Sequence, residues 1–185
     1  MAIRRIHLAH EPVLRQVAKP VTRFDDGLQQ LIDDMFEMMR AAPGVGLAAP
    51  QVGESIRLFV AEWPEDEEDP ESLEAYTIVN PVIVRAKGEE ESEEGCLSIP
   101  GYVGDVRRAT EVVVKGKDRL GNKIRLRVHG WLARVFQHEI DHLDGVLFID
   151  RVDSPDKIRA VEPGEEERAE MEAAGRVTVP VTSGL

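Results

Sequence analysis

The segment Gln137–His142 constrains this chain more than any other, because it carries two histidines four residues apart. An α-helix turns by about 100° per residue, so His138 and His142 project from one face and can bind the same metal ion. Glu139 lies between them, close enough to such an ion to accept and return protons. Cys96 is the only cysteine of the chain and can provide a third ligand. The combination indicates a metal-dependent hydrolase.

The number of protein ligands separates a catalytic metal from a structural one. Three protein ligands and one open position are typical of a catalytic site, whereas four protein ligands close a structural site. The chain has no second cysteine, and no histidine follows His142. A catalytic ion bound by Cys96, His138 and His142 is therefore the favoured interpretation. Two alternatives remain open: a zinc endopeptidase, which shares the His-Glu-x-x-His pattern, and a binding or scaffold protein with a structural metal.

The metal-binding helix is predicted to run from Trp131 to about Asp144, with a glycine at each end. On a helical wheel, Trp131 and Val135 lie within roughly 40° of the two histidines, so an apolar substrate group is expected beside the metal. Arg134 lies on the side opposite the apolar arc of the helix. Asp141 is interpreted either as an acceptor for a ligand histidine or as a surface charge.

Hydrophobic periodicity predicts one further helix and several short strands, a pattern typical of an α+β protein. Apolar residues recur with helical spacing after Asp25, whose carboxylate is expected to cap the first turn. Pro43 and Gly44 are expected to end this helix. Strands are predicted at Ile56–Trp63, Tyr76–Arg85, Thr110–Lys117, Asn122–His129 and Val146–Ile149. Pro81 is expected at a bulge or at a sheet edge, since it cannot donate to a neighbouring strand.

The negative charge of the chain, −12 overall, is concentrated in two segments. Pro64–Glu74 contains seven acidic residues and Glu89–Glu94 contains five, with no lysine or arginine in either. Both are predicted to be solvated loops, because blocks of like charge repel one another and remain hydrated. Phosphate contacts need a clustered positive surface, so the charge pattern argues against nucleic-acid binding.

Length and cysteine content bear on the location of the protein. The 185 residues suffice for one domain with a tail. No apolar run approaches the roughly 20 residues that a membrane-spanning helix needs. The N-terminus lacks the apolar core of a signal peptide, and a single free thiol suits a reducing compartment. A cytoplasmic protein without membrane association is expected.

Three segments resemble the motifs of the peptide deformylase family, and they occur in the same order. These segments are Gly44–Gln51, Glu94–Ser98 and Gln137–His142. The resemblance covers about residues 1–152 and implies a catalytic domain there, followed by a charged helix and tail over residues 153–185. Within that tail, Glu165–Ala174 is predicted to be a solvated helix, and Arg176–Leu185 is either a strand or disordered.

The resemblance implies an α+β fold in which small, mostly antiparallel sheets pack around the metal-binding helix. It also implies hydrolytic removal of the formyl group from N-formylmethionine at the start of newly synthesised polypeptides. One divalent ion is expected, with iron(II) as the usual metal and zinc or another ion as a substitute. The implied ligands are Cys96, His138 and His142. Glu139 is implied as the general acid/base, and Gln51 and the backbone amide of Leu97 as donors to an oxyanion.

The substrate-binding surface is expected to consist of Val45, Gly46, Gly95, Trp131 and Val135. An extended peptide is expected to pair its main chain with the strand edges around Val45 and Gly95. Gly44, Gly46 and Gly95 allow both unusual φ angles and close backbone approach, and both are expected at these places. The implied partners are formylated nascent chains and, transiently, the ribosome, and the enzyme is expected to be a monomer.

Overall fold

The computed structural model describes residues 5–66 and 69–161 of the chain. Within these residues the fold consists of two α-helices, a five-stranded sheet and a three-stranded sheet, which confirms the expected α+β class. The helices are α1 (Asp26–Ala41) and α2 (Gly130–Leu143). The strands are β1 (Gly46–Ala48), β2 (Leu58–Asp66), β3 (Asp69–Lys87), β4 (Glu90–Cys96), β5 (Ile99–Arg108), β6 (Glu111–Lys117), β7 (Lys123–His129) and β8 (Ile158–Ala160).

Helix α1 begins and ends where the sequence predicts. The Asp25 carboxylate accepts a hydrogen bond from the Leu28 backbone N–H at 3.2 Å, which confirms the predicted cap. The Gly44 N–H donates to the Met39 carbonyl oxygen at 2.9 Å, where the chain leaves the helix. The buried face of α1 consists of Leu28, Leu31, Ile32, Met35, Phe36 and Met39. This face shares one hydrophobic cluster with β1 and β2.

The five-stranded sheet has the order β1-β2-β3-β6-β7, and every adjacent pair is antiparallel. The register of β3 against β6 shifts between Val79 and Val82, on either side of Pro81, as predicted for a bulge. Helix α2 lies on this sheet. The rings of Phe136 in α2 and Phe59 in β2 meet edge to face with 5.1 Å between their centroids. The sheet thus supports the helix that carries the two histidines.

The three-stranded sheet has the order β4-β5-β8 and contains one of the acidic segments. Glu90 and Glu91 lie in β4 opposite Arg108 and Arg107 of β5. The prediction of a solvated loop is therefore wrong from Glu90 onward. Opposite charges that face each other across two strands stabilise the pairing, and β5, which supplies the arginines, was not predicted.

The other acidic segment also belongs to a sheet. β2 and β3 remain paired until Asp66 lies opposite Asp69, so the loop prediction is wrong for the strand residues within Pro64–Glu74. Backbone hydrogen bonds to the neighbouring strand determine the structure here, and a count of charges does not register them.

The strand predicted at Val146–Ile149 is wrong as well. The chain instead forms a 3₁₀ turn at Phe148–Asp150. The Asp150 carboxylate accepts a hydrogen bond from the Leu147 N–H at 2.8 Å, which stabilises the turn and competes with an extended backbone.

Strand β8 brings residues beyond position 152 into the second sheet. Tyr102 of β5 lies opposite Ala160, and the Val161 N–H donates to the Gly101 carbonyl oxygen at 2.9 Å. The predicted helix Glu165–Ala174 and the predicted strand or disordered end lie outside the described residues. In the part of the chain that the structure describes, no helix has the length and apolar character needed to span a membrane.

Candidate metal centre

Helix α2 carries both histidines, and glycines set its ends. Gly130 has a φ angle of +54° at the first position of the helix, and Gly145 has +72° just after it. A side chain at Gly145 would lie 2.7 Å from the Arg15 carbonyl oxygen, so this position also requires close approach. The Val146 N–H donates to the Asp141 carbonyl oxygen at 2.9 Å and turns the chain away from the helix. The helix boundaries agree with the prediction to within one residue at each end.

The ligand atoms of Cys96, His138 and His142 converge, all within 4.8 Å of one another. Cys96 Sγ lies 3.3 Å from His142 Nε2, and the centroids of the two imidazole rings are 5.0 Å apart. A thiolate with two imidazoles is a donor set that zinc and other first-row divalent ions accept. Three protein ligands leave a fourth position open, so these residues fit a catalytic metal.

Glu94 precedes Cys96 by two residues in β4 and orients His138. Its Oε2 atom lies 3.0 Å from His138 Nδ1. Burial raises the pKa of Glu94, but hydrogen bonds from His138 and Arg108 outweigh burial and hold that pKa at about 2. Because an ionised carboxylate can only accept, His138 Nδ1 carries the proton and donates it. Burial lowers the pKa of His138, but hydrogen bonds with Cys96 and Glu94 outweigh burial and raise that pKa well above its usual value. A metal bound by His138 would therefore take the place of the proton on Nε2.

Two buried arginines hold Glu94 in turn. Arg108 donates from Nε and Nη2 to the two carboxylate oxygens at 2.9 and 3.0 Å, and Arg134 Nη1 donates to Oε1 at 2.9 Å. Arg108 Nη1 also donates to Asp141 at 2.5 Å, and Arg151 Nη2 donates to Asp141 at 2.7 Å. Asp141 is buried, so both interpretations of it are wrong: it neither accepts from a ligand histidine nor lies on the surface. β5 covers this side of α2 and supplies the arginine that Asp141 binds.

The acid–base state of two buried groups fits the chemistry of such a site. Glu139 Oε2 is buried and has no hydrogen-bond partner among the described residues. Burial raises the pKa of Glu139 to about 7, so this carboxyl group can hold or release a proton near neutral pH. Burial, together with the neighbouring charge of His138, lowers the pKa of His142 well below its usual value. His142 is therefore neutral, as a metal ligand must be.

Two glycines provide the space that the site needs. A Cβ atom at Gly46 would lie 2.5 Å from Glu139 Oε1, and one at Gly44 would lie 2.8 Å from the side chain of Leu97. A Cβ atom at Gly95 would make only ordinary contacts, the nearest at 3.5 Å from Val103. None of these three glycines has a positive φ angle. Close approach is thus confirmed at Gly44 and Gly46, and the expectation of unusual φ angles is wrong.

Gln51 lies in the 3₁₀ turn Ala49–Val52 and is almost fully buried. Its Oε1 atom accepts a hydrogen bond from the Ala48 N–H at 2.8 Å. Its Nε2 atom lies 3.1 Å from Ser98 Oγ and 3.6 Å from Cys96 Sγ. Because the amide oxygen is fixed in this way, the amide N–H groups are directed toward Ser98 Oγ and the thiol of Cys96.

A cavity of about 680 Å³ opens beside the three ligands. Ten of the eleven predicted site residues line it: Val45, Gly46, Gln51, Gly95, Cys96, Leu97, Trp131, Val135, His138 and Glu139. His142 is not part of this lining and is fully buried. The structure therefore brings together the catalytic, ligand and substrate-binding groups that the sequence predicts.

Sequence reasoning missed other members of the site. Glu94 was assigned to an acidic loop, although its position two residues before Cys96 places both side chains on one face of a strand. Arg134 precedes His138 by four residues, the spacing that brings two side chains together on a helix. Tyr102 and Val161 also line the cavity, and no local signal identifies them because β5 and β8 were not predicted.

Known proteins resemble this chain over nearly its whole length. A family model described as polypeptide deformylase matches residues 3–158. A peptide deformylase of Symbiobacterium thermophilum is 48% identical over 184 residues, which cover 100% of this chain and 81% of the relative. A peptide deformylase of Dehalococcoides mccartyi is 48% identical over 166 residues, which cover 90% of this chain and 96% of the relative.

Solved structures agree with the sequence comparison. The crystal structure of a peptide deformylase from Legionella pneumophila superimposes with a TM-score of 0.77 and 46% identity, covering 95% of this chain and 96% of that one. The crystal structure of peptide deformylase from Thermotoga maritima gives a TM-score of 0.75 and 42% identity, covering 83% of this chain and 100% of that one. The chain belongs to the polypeptide deformylase family.

Proposed function

We propose that this protein is a metal-dependent hydrolase that removes the formyl group from N-formylmethionine at the start of new polypeptides. The observation that carries the proposal is the convergence of Cys96, His138 and His142 within 4.8 Å, close to Glu139, whose buried Oε2 atom has no hydrogen-bond partner among the described residues. The third ligand comes from a cysteine upstream of the helix, which disfavours a zinc endopeptidase. The adjoining cavity and the three-ligand set disfavour a purely structural metal.

The residues around the cavity divide the chemistry between them. Cys96, His138 and His142 would hold a divalent ion, which would act as a Lewis acid and would lower the pKa of bound water to about 7. Glu139 accepts the proton of the attacking water and returns it to the departing amine. Its own pKa of about 7 suits both halves of that transfer. The amide of Gln51 is oriented by its bond from Ala48.

Two donors stabilise the oxygen of the formyl group as it gains negative charge. These are the Nε2 atom of Gln51 and the backbone N–H of Leu97, which follows the ligand cysteine. Donors that are fixed before the reaction cost no reorganisation during it, and the loss of one such donor lowers the rate by about 10²–10³.

The substrate's first side chain occupies the apolar part of the cavity. Trp131 and Val135 line it from α2, and Val45 lines it from the chain before β1. β1 and β4 are edge strands of their sheets, so an extended peptide can pair with backbone near Gly46 and Gly95. Pairing through the backbone ignores side-chain identity. The enzyme then accepts many sequences after one selected first residue.

The activity is tested with three formylated tripeptides that differ only in the first residue, Met, Ala or Asp. Release of formate is expected to be most efficient with Met, because each buried methylene contributes about 0.8 kcal/mol and a carboxylate would lose its hydration. An acetylated peptide with internal bonds serves as the control. Cleavage of internal bonds without release of formate would establish an endopeptidase instead.

The ligand set is tested with Cys96→Ser. A hydroxyl group is a far poorer anionic donor than a thiolate, so this variant is expected to lose metal affinity together with activity. Metal content is measured after dialysis against a weak chelator. Full metal content in the variant would mean that another side chain provides the third ligand.

We also propose iron(II) as the physiological ion of a cytoplasmic monomer that meets its substrates transiently at the ribosome. The support for iron is the resemblance to the family and the presence of Cys96, a thiolate that oxygen can attack together with ferrous iron. Activity of the iron form is expected to decay in air and persist under argon, whereas a nickel form survives in both. Equal lifetimes of the two forms in air would favour zinc.

A further inference from the structure

Arg134 and His138 are one helical turn apart on α2 and bind the same carboxylate. Arg134 Nη1 donates to Glu94 Oε1 at 2.9 Å, and His138 Nδ1 lies 3.0 Å from Glu94 Oε2. The side chain of Arg134 is only 5% exposed. A single helix thus holds both oxygens of Glu94, and any rotation of that carboxylate changes both contacts together.

Contacts to two strands fix the guanidinium of Arg134. Nη1 also donates to the carbonyl oxygen of Val106 in β5 at 2.8 Å, and Nη2 donates to that of Glu90 in β4 at 2.8 Å. The guanidinium carbon lies 6.0 Å from the centre of the Trp131 ring, beside the substrate cavity. A planar guanidinium group that donates to three acceptors cannot move toward one of them without lengthening its hydrogen bonds to the others. Arg134 therefore ties α2 to β4 and β5 beside the metal centre.

We propose that Arg134 is a positioning residue of the metal centre, which acts through Glu94 to hold His138 with Nε2 facing the ion. The inference rests on the proposed metal binding and does not depend on the identity of the substrate. Hydrogen-bond partners of metal-binding histidines change metal affinity by about 10–100-fold. Arg134 acts one contact farther from the ion than Glu94, so about a tenfold contribution is expected, at the lower end of that range.

Cobalt affinity tests this role without any measurement of catalysis. Metal-free protein is titrated with Co²⁺ against a chelator under argon, at a temperature where all variants are folded. Arg134→Met is expected to bind Co²⁺ about tenfold more weakly and to shift the thiolate-to-cobalt absorption band. Arg107→Met is the matched control, because Arg107 also joins β5 to β4, through Glu91 at 3.0 Å, but at the surface. The control is expected to keep the affinity and the spectrum of the parent.

A double-mutant cycle tests whether the effect passes through Glu94. In a Glu94→Gln background, Arg134→Met is expected to weaken Co²⁺ binding by less than twofold, since the carboxylate that transmits the effect is gone. Arg134→Lys keeps the positive charge but loses the planar guanidinium group. Its affinity for Co²⁺ is expected to lie between that of Arg134→Met and that of the parent. It also provides the measurement if Arg134→Met does not fold.

Two results would overturn the proposal. One is an unchanged cobalt affinity and spectrum in both Arg134 variants with a lowered melting temperature, which would assign Arg134 a structural role only. The other is an equal loss of affinity in the parent and in the Glu94→Gln background. If cobalt binding responds as expected but formate is not released from formylated peptides, Arg134 retains its positioning role and the proposed activity fails.

Discussion

Two sets of ion pairs join β4 and β5, and they lie on opposite faces of the same sheet. Glu93 and Glu94 are neighbours in β4, and Arg107 and Arg108 are neighbours in β5. The side chains of Glu94 and Arg108 are each 4% exposed, whereas those of Glu93 and Arg107 are 57% and 54% exposed. Successive strand residues point to opposite faces, so one step along the chain separates a buried charge from a hydrated one.

The two faces of the sheet differ in whether each arginine has fixed hydrogen-bond partners or several interchangeable ones. Arg107 lies between 3.0 and 3.7 Å from three carboxylates, those of Glu89, Glu91 and Asp153, and no single one determines its position. Arg108 is held by Glu94 and Asp141 in fixed hydrogen bonds. Water screens the exposed pairs, whereas a buried charge that loses its partner stays uncompensated. The buried face can therefore organise a metal site, and the exposed face cannot.

The largest expected effect is on turnover and comes from the buried carboxyl group of the cavity. Glu139→Gln keeps the shape of the side chain but cannot accept or return a proton, so kcat is expected to fall by about 10²–10⁴. The metal ligands are unaltered, and metal content is expected to equal that of the parent. The rate is measured as formate release from formyl-Met peptides, with metal content determined on the same samples.

Glu93→Gln is the matched control for that variant. Its side chain is exposed and pairs with Arg159 at 2.7 Å, away from the cavity. Turnover of this control is expected to equal that of the parent. A Glu139→Gln enzyme within tenfold of the parent would exclude Glu139 as the general acid/base, because proton transfer would then proceed through another group.

The second largest expected effect is on the free energy of unfolding, and it differs between substitutions of the adjacent residues Arg107 and Arg108. Arg108→Met leaves Glu94 with Arg134 and Asp141 with Arg151, so both charges are only partly compensated and the free energy of unfolding is expected to fall by about 3 kcal/mol. Arg107→Met removes an exposed side chain with several interchangeable partners, and no measurable change is expected. Urea denaturation gives both values. Similar losses in the two variants would mean that burial does not distinguish the two faces.

Residues were predictable from the sequence where a local pattern places them, and not where their burial depends on a distant strand, as for Glu94 and Arg108. Glu139, His138 and His142 form a local pattern on one helix, and local spacing suffices to place them. Glu94 lies in a run in which nearly every residue is acidic, so its strand has no apolar alternation to reveal it. Its burial depends on Arg108, which is 14 residues away in the chain. Pairings between distant segments are not encoded in any local window.

Two other errors have the same origin. Asp141 was assigned by its position between the ligand histidines, but its partner Arg151 comes from the chain beyond α2. The acidic residues around Asp66 pair with β3 through backbone atoms that carry no sequence signature. By contrast, the helix cap at Asp25 and the bulge at Pro81 depend on residues nearby in the chain. These local features were predicted correctly, whereas the turn at Phe148–Asp150, also local, and the contacts between distant strands were not.

The third prediction concerns β8, the edge strand of the second sheet. Its Arg159 pairs with Glu93 and Asp105. We propose that the catalytic domain comprises residues 1–152 and that the following segment adds β8 to its second sheet, so a chain that ends at residue 152 lacks β8. Its stability is expected to fall by about 1–2 kcal/mol, because the packing of Ile158 on β5 is lost. KM is expected to rise while kcat is preserved, since Val161 lines the cavity but is neither a candidate metal ligand nor the candidate acid/base.

A chain that ends after Val161 is the control for this truncation. It retains β8 and the wall of the cavity, so its stability, KM and kcat are expected to match those of the full chain. If the chain ending at residue 152 also matches the full chain in all three, β8 contributes nothing to the stability or the substrate binding of residues 1–152.

The smallest expected effect comes from an exposed arginine that makes three hydrogen bonds to two carboxylates. Arg159 donates to Asp105 at 2.9 and 3.0 Å and to Glu93 at 2.7 Å, and thereby links β8, β5 and β4. Water surrounds all three groups, and exposed pairs gain little because holding long side chains in place costs entropy. Arg159→Gln is therefore expected to unfold at nearly the same urea concentration as the parent. The small difference that remains at low salt is expected to vanish in 1 M NaCl, where charges are screened within about 3 Å. A large loss of stability that persists in 1 M NaCl would show that a network at the surface can act like the buried one, and the contrast between the two faces would fail.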